Sequence, residues 1–540
     1  MKHLRRIGLA AWIVAWGFDF LFWEKTPGVS FAIYTAICLA GGFFLTWSED
    51  KRPARASLLL LIPIGFFAVM SFWRIEPLSQ ALDYLLTLGT LALFVMSYTG
   101  GQWLRYGWRD YLLQGAALFF SAIARPLMVL STPRSTTETQ PAAEPAADAP
   151  STPKPAARRK IGQRVIPVVR GVILALPVLI FFGVLLASAD PIFSSRLNNV
   201  FTLFQIENLP EYLFRLIYIT ILAFILAGVY LHALTASSDA NLLASDQPWP
   251  PPFLGLTEAG IVLGSVNLLF GFFVLIQFQY FFGGQANIAA EGYTYADYAR
   301  RGFGELAAVA LFSLLLFLSL SSITRRSGAR QQRLFSGLGA LLTLLVLIIL
   351  ASAFQRLLLY EQAYGFTRLR TYPHIFMIWL GLLLLGLLGM ELSNRLRYFP
   401  LAALIAALGF GATLNIINVD ALIVRQNAQA AQAGAELDVA YLNGLSADAI
   451  PAMVEIFNHA QLAPALHDDF GGVLACQKAM DAAERRDPSW QAFHLARWNA
   501  AQWLQAADLN AYPVRQGEYG QWSVQVNGEE RSCAASRLDY

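Results

Sequence analysis

Apolar runs punctuate the chain at about 7–23, 29–47, 58–73, 80–98, 166–187, 211–234, 254–281, 302–323, 334–354, 373–391 and 399–418. A helix crosses a bilayer with roughly 20 predominantly apolar residues. Because lipid offers the backbone no hydrogen-bond partners, these runs are read as spanning helices. A further run, 111–130, is interrupted by Gln114 and by Arg125–Pro126, so it reads either as another span or as a helix lying in the interface. The first run follows a basic start, as a signal peptide would. Phe22, Trp23 and Glu24 stand where a signal peptidase wants small residues, so an uncleaved helix is expected.

After Val419 the pattern becomes that of a water-soluble segment. Ala-rich helical stretches are broken at "LNGLSADAIP" and "RRDPSW", and Ser446 before "AIPAMVEIFNHA" reads as a helix start. "QWSVQVNGEERS" alternates about an Asn-Gly, the signal for a tight hairpin. Ser131–Arg158 is Pro-, Ala- and Thr-rich with few large apolar residues, so it cannot bury a core and is expected to be a disordered tether. Four regions result: a membrane module over 1–130, a linker over 131–165, a seven-span module over 166–418 and a soluble tail over 419–540. The fold class expected is an all-α polytopic membrane protein with eleven transmembrane helices, twelve if 111–130 crosses, and a small, mainly helical C-terminal domain.

Composition agrees with that class: 56% of the 540 residues are hydrophobic and 14% are charged, against about 25% charged in soluble domains. Mean hydropathy is +0.48. Charge then selects a topology. With 111–130 not crossing, one set of loops holds Lys51, Arg52, Arg55, Arg105, Arg109, Arg325, Arg326, Arg330, Arg333, Arg395, Arg397 and the basic residues of the linker. The other loops hold fewer than half as many, so the positive-inside rule predicts a cytoplasmic N-terminus and an extracytoplasmic C-terminus. The basic residues sit in short loops and no stacking-plus-basic module accompanies them, so nucleic-acid binding is not expected.

Candidate chemistry is sparse. Cys38 lies in a span, whereas Cys476 and Cys533 share the tail, where an outer location permits a disulfide. The six histidines are scattered, His459 and His467 lack ligand spacing, and no metal or cofactor is expected. No catalytic set converges in sequence. Asp19, near the outer end of its span, is expected to reach water, and Asp83 is the one other acid near an N-terminal span. A proton relay would need several buried carboxylates in series, and the sequence does not display them.

Three motifs carry a resemblance: "YTYADYARRGFGEL" (293–306), "LLLYEQAYGFTRLRTYPHIFMIWL" (357–380) and "INVDALIVRQNAQAAQAGAELDVAYLNGLSADAIPAMV" (417–454). In these the chain resembles a recurring bacterial membrane family catalogued as a domain of unknown function, the 4173 group or its relative 4153, over roughly 165–500. The resemblance implies a multi-pass protein of the bacterial cytoplasmic membrane and brings no catalytic residue with it.

On the expected topology the unusual motifs face outward, where the positive-inside rule disfavours arginine. Arg301 and Glu305 lie at i,i+4 with Tyr298 one turn before, beside Arg300. Arg356, Tyr360 and Tyr364 form a second stripe with Glu361 beside them, and Arg368 and Arg370 follow Gly365. Two readings stay open for this collar. In one, Arg301–Glu305 and Arg356–Glu361 are ion pairs and the tyrosines an interfacial belt. In the other, the guanidiniums hold an anionic group such as a lipid phosphate. Three functions follow: a non-enzymatic envelope scaffold, sensor or accessory subunit, which is preferred; a transporter or lipid-handling protein; and an envelope enzyme acting on a lipid-linked substrate. The expected partners are membrane lipids and an envelope protein bound through the tail.

Overall fold

A computed structural model describes residues 2–131, most of 171–193, and 208–238, 251–290, 302–459, 462–484, 489–517 and 520–534. The tether, much of the 166–187 run, and Tyr298, Arg300 and Arg301 lie outside the described residues. Among those described, ten helices are long and apolar enough to cross a membrane: Val29–Ser48, Arg55–Trp73, Pro77–Met96, Trp108–Met128, Leu209–Thr235, Leu256–Gln277, Phe303–Ile323, Ala329–Tyr364, Arg368–Leu392 and Leu396–Ile417. The chain is therefore a multi-pass, all-α membrane protein with a small C-terminal domain. The first run also folds as a helix, Lys2–Phe22, but Arg5, Arg6 and Asp19 make it less apolar than those ten.

The largest boundary difference is at Ala329–Tyr364, 36 residues where the apolar run suggested 334–354. At 1.5 Å per residue this helix is about 54 Å long, well beyond the roughly 30 Å hydrocarbon core. Its polar ends are good helix formers, and hydropathy alone does not register them.

Two compact units divide the chain. The first takes Met1–Asp19 with Ala122–Gly228. Here Ala15 packs on Ile219 and Ala223, and Asp19 is buried rather than turned to water. Arg215 donates to both Asp19 oxygens, at 2.9 and 2.5 Å, and the Tyr218 hydroxyl donates to the same carboxylate. An acid within an apolar run can snorkel or pair, and the cation one helix away decided for pairing.

The second unit takes Phe20–Ser121 and Val229–Tyr540, so spans from both sides of the tether share one body. Ala329–Tyr364 is its central post, touching the Leu256–Ala290, Phe303–Ile323 and Arg368–Leu392 helices. Their core includes Leu263, Phe317, Phe335, Val346 and Leu384. With no hydrophobic drive between helices in lipid, small residues admit close approach. A Cβ on Gly409 would stand 2.0 Å from the Trp379 indole, whose nitrogen donates to Thr413.

The tail begins without a linker. Phe399–Ile417 ends at Asn418, whose left-handed backbone (φ 55°) turns the chain directly into Val419–Gln432 while its side chain caps that helix at the Ala421 amide. The tail helices Ile450–Phe457, Pro464–Glu484 and Leu495–Ala506 bury Val424, Met453, Phe470 and Leu504 in a core that continues into the membrane helices through Ile375 and Leu414. A three-stranded antiparallel sheet, β1 (Val514–Gln516), β2 (Trp522–Val526) and β3 (Glu529–Ser532), closes the chain. Asn527 and Gly528 both have positive φ at the β2–β3 turn, as a two-residue hairpin requires. Cys476 and Cys533 are joined by a disulfide.

The tail also clasps the loop between the first two helices. His494 Nε2 donates to the Pro27 carbonyl at 3.0 Å, and the Val29 amide donates to Phe493 at 2.9 Å. Burial, with Arg497 nearby, holds the His494 imidazole below its ordinary range, so the folded state prefers it neutral. A depressed folded value contributes stability above the unfolded value of about 6.5, and that contribution is lost as the pH falls through the folded one. The tail's melting temperature is therefore expected to fall between about pH 8 and about pH 5.5. The fall should shrink in His494→Gln, which retains a donor for Pro27; an unchanged acid response in that variant would remove His494 as the cause.

Candidate functional site

Gly365 ends the Ala329–Tyr364 helix with φ +77°, and Arg368–Leu392 returns antiparallel to it. This hairpin meets the tail, and Arg356, Arg368 and Arg370 of the predicted collar lie on it. Arg370 is buried and lies over the Tyr360 ring at 4.2 Å. Its Nη1 donates to the Tyr364 and Gly365 carbonyls at 2.9 and 2.6 Å, and Nη2 reaches the Tyr360 hydroxyl at 3.3 Å. It thus caps a helix C-terminus, satisfying carbonyls that have no intrahelical partner and complementing the helix dipole.

Arg368 turns toward the tail. Its Nε and Nη2 grip the two oxygens of Asp420 at 2.8 and 2.6 Å, and its backbone amide donates to the Tyr441 hydroxyl at 2.8 Å. Asp420 is fully buried and also accepts the Ser446 amide at 2.8 Å. The bidentate geometry is the one a planar guanidinium favours.

Arg356 and Glu361 do not pair with each other. Five residues apart on a helix they diverge by roughly 140° of arc. Arg356 donates to Gln277 Oε1 at 3.0 Å, an oxygen that Ser352 also reaches at 3.2 Å. Glu361 is buried with Oε2 at 2.8 Å from His374 Nδ1. Glu305 is exposed at the start of Phe303–Ile323. Of the predicted collar, then, Tyr360, Tyr364 and Arg370 come together, while Arg356, Glu361 and Arg368 each serve a different neighbour.

A second clamp, which the sequence reading did not include, binds the tail to the loop before Pro77. Asp448 accepts the Ile75 and Glu76 amides at 2.7 and 3.0 Å, with Arg74 Nη1 at 3.3 Å. Burial raises Asp448 above the ordinary carboxylate range, opposed by the Ile75 amide and the Arg74 charge. Glu76 caps its own helix at Leu78 and Ser79 and accepts the Tyr372 hydroxyl. The signal in the sequence was Glu76-Pro77, an acid before a proline at a helix start.

Between hairpin and tail lies a cleft of about 580 Å³, lined by Tyr364–Thr367, Arg370, Asn427, Glu436–Val439 and Tyr441. Asn427 zips one wall by exchanging hydrogen bonds with the Phe366 backbone at 2.7 and 2.8 Å. Charges of both signs face this space, but Arg370 is engaged by the helix end. No nucleophile–base pair lines it, and among the described residues no three His, Cys, Asp or Glu are grouped to hold a metal.

No curated protein and no solved structure matches the chain. A family model does, over residues 61–456, which reaches into N-terminal spans that the three motifs left uncovered. That match takes in the Arg74–Asp448 and Arg368–Asp420 clamps and the hairpin between them, and on it the chain belongs to the family described as Domain of unknown function (DUF4153).

Proposed function

We propose that this protein is a non-enzymatic scaffold, sensor or accessory subunit of the bacterial inner membrane, presenting its tail outside the cytoplasm. The observation that carries the reading is the use of Arg368 and Arg370: Arg368 is spent on Asp420, which joins the tail to the bundle, and Arg370 on the helix end beside it. A rigid outer face coupled to membrane helices suits capture of an envelope protein and transmission of its binding. Trp490, Phe493 and Trp498, exposed beside Pro27, suit contact with lipid headgroups.

Orientation has its own support. The tail meets chain segments at 27–29, 74–76 and 365–370. The basic loops gather at the other end, where Ala54 bonds Tyr98, Gly100 bonds Ser237, and Arg325 bonds Leu254. The positive-inside rule makes that end cytoplasmic, and the tail disulfide suits the opposite, oxidising side. Trp108 sits against Phe399, and Ser121 bonds His232 one turn from the same end. Fourteen residues of helix, about 20 Å from first to last, therefore run along that end, which favours an interfacial 108–131 helix.

Phosphatase fusions after Asp420 should be active and fusions within 131–165 inactive; the reverse pattern would invert the topology. Lipid and solute profiling of cells carrying Arg368→Ala should show no accumulating precursor. An accumulating lipid-linked or solute species would replace this reading with transport or lipid chemistry.

A further inference from the structure

Beneath the tail, the Pro77–Met96 helix turns one carboxylate inward. Asp83 is fully buried, as is Asn415, two residues from the end of Phe399–Ile417. Asn415 Nδ2 donates to Asp83 Oδ1 at 2.7 Å and to the Gly411 carbonyl at 3.0 Å. The pair's other oxygens, Asp83 Oδ2 and Asn415 Oδ1, are buried and accept no hydrogen bond from the described residues. Orphaned acceptors of this kind are rare in folded proteins and call for a reason.

One proton removes both. Placed on Oδ2, it lets the carboxyl donate to Asn415 Oδ1 while the amide donates back, closing a carboxylic acid–carboxamide ring. Turning the amide over does not abolish the need. Asn415 Oδ1 would then face the carboxyl group, which can donate only when protonated. No cation offers an alternative, since among the described residues Asp83 pairs with no arginine, lysine or histidine.

The surrounding groups are few. On its own helix Asp83 has Glu76 at the cap, the Tyr84 phenol and Thr87, whose hydroxyl bonds the Asp83 carbonyl. Phe399–Ile417 contributes Asn415; Leu61–Trp73 contributes Phe67 and a self-satisfied Ser71; Val29–Ser48 contributes Phe31 against Tyr84. From Arg368–Leu392 comes Tyr372, bonded to Glu76.

We propose that Asp83 and Asn415 form a proton-binding site inside the bundle, and that its occupancy sets how firmly the tail is held. The link runs through bonds already described. The Asn415 carbonyl accepts Arg74 Nε at 3.0 Å, and Arg74 reaches Asp448, which holds the Ile75 and Glu76 amides. A proton leaving Asp83 for water puts a negative charge behind Asn415 and draws Arg74 away from Asp448. The inference stands whether or not the tail captures a partner.

Infrared difference spectra of the full-length protein between acidic and alkaline buffer test it, paired with hydrogen exchange across 448–457. Wild type should show one buried carboxylic-acid band that disappears at alkaline pH as exchange across 448–457 accelerates. Asp83→Asn, which keeps the volume and still allows an amide–amide pair, should lose the band and the pH dependence of exchange. The exchange of positions in Asp83→Asn/Asn415→Asp should restore both, which separates the proposal from misfolding of the single variant. A band that persists in Asp83→Asn, or exchange that ignores pH in wild type, overturns it. So does a response to sodium at constant pH, which would make the ligand a metal cation.

Discussion

Arg368→Ala is expected to destabilise the tail by about 3–5 kcal/mol, the cost of removing one partner from a buried ion pair. The Asp420 side chain is 0% exposed and would be left buried without its guanidinium partner, with the Ser446 amide as its remaining hydrogen bond. Arg368→Lys should recover little, because an ammonium cannot reproduce the two-point grip on both oxygens. The surface pair Arg425–Glu455, with side chains 62% and 51% exposed, is the internal control. Arg425→Ala should stay within about 1 kcal/mol of wild type. Hydrogen exchange across 419–457 measures both, and a change in Arg368→Ala no larger than in Arg425→Ala would mean that the clamp does not hold the tail.

Reduction of the Cys476–Cys533 bridge should have an effect of similar size in a different place. Its sequence separation of 57 residues corresponds to about 4 kcal/mol on a chain-entropy basis. The bridge fastens the end of β3 to the Pro464–Glu484 helix, where Val524 and Val526 complete the core around Phe470 and Val473. Arg531–Asp469 at 2.6 Å and Asn527–Asp468 at 2.7 Å bind the same surfaces from their exposed side, where such bonds contribute little. With dithiothreitol or Cys533→Ser, amides of the sheet and of 464–484 should lose protection while 329–392 keeps it. Uniform loss throughout the unit would show instead that the sheet is part of one cooperative fold with the bundle.

The positions of the ten described candidate spans were legible because lipid imposes a simple rule on composition, and the hairpin because Asn527-Gly528 supplies two residues tolerant of positive φ. The length of Ala329–Tyr364 was not, since its polar turns are helical for reasons unrelated to hydropathy. At the site, the stripe Tyr360–Tyr364 could be read from helical period, and Arg370 joined it. The partners of Arg368, Arg356 and Glu361 could not: Asp420, Gln277 and His374 are 52, 79 and 13 residues away, and helix arrangement alone brings them near. Asp83 and Asn415, separated by 332 residues, were each visible in the sequence as a polar residue in a span, yet their reciprocity exists only in the folded chain.

The junction at Asn418 has a mechanical consequence. With no slack between the last span and the C-terminal domain, a tilt of that span is passed directly to the domain rather than absorbed by a loop. A helix changes its tilt when hydrocarbon thickness changes. Stretch or lipid remodelling that leans Phe399–Ile417 would move the C-terminal domain with it, and a load applied to that domain would lean the helix in return.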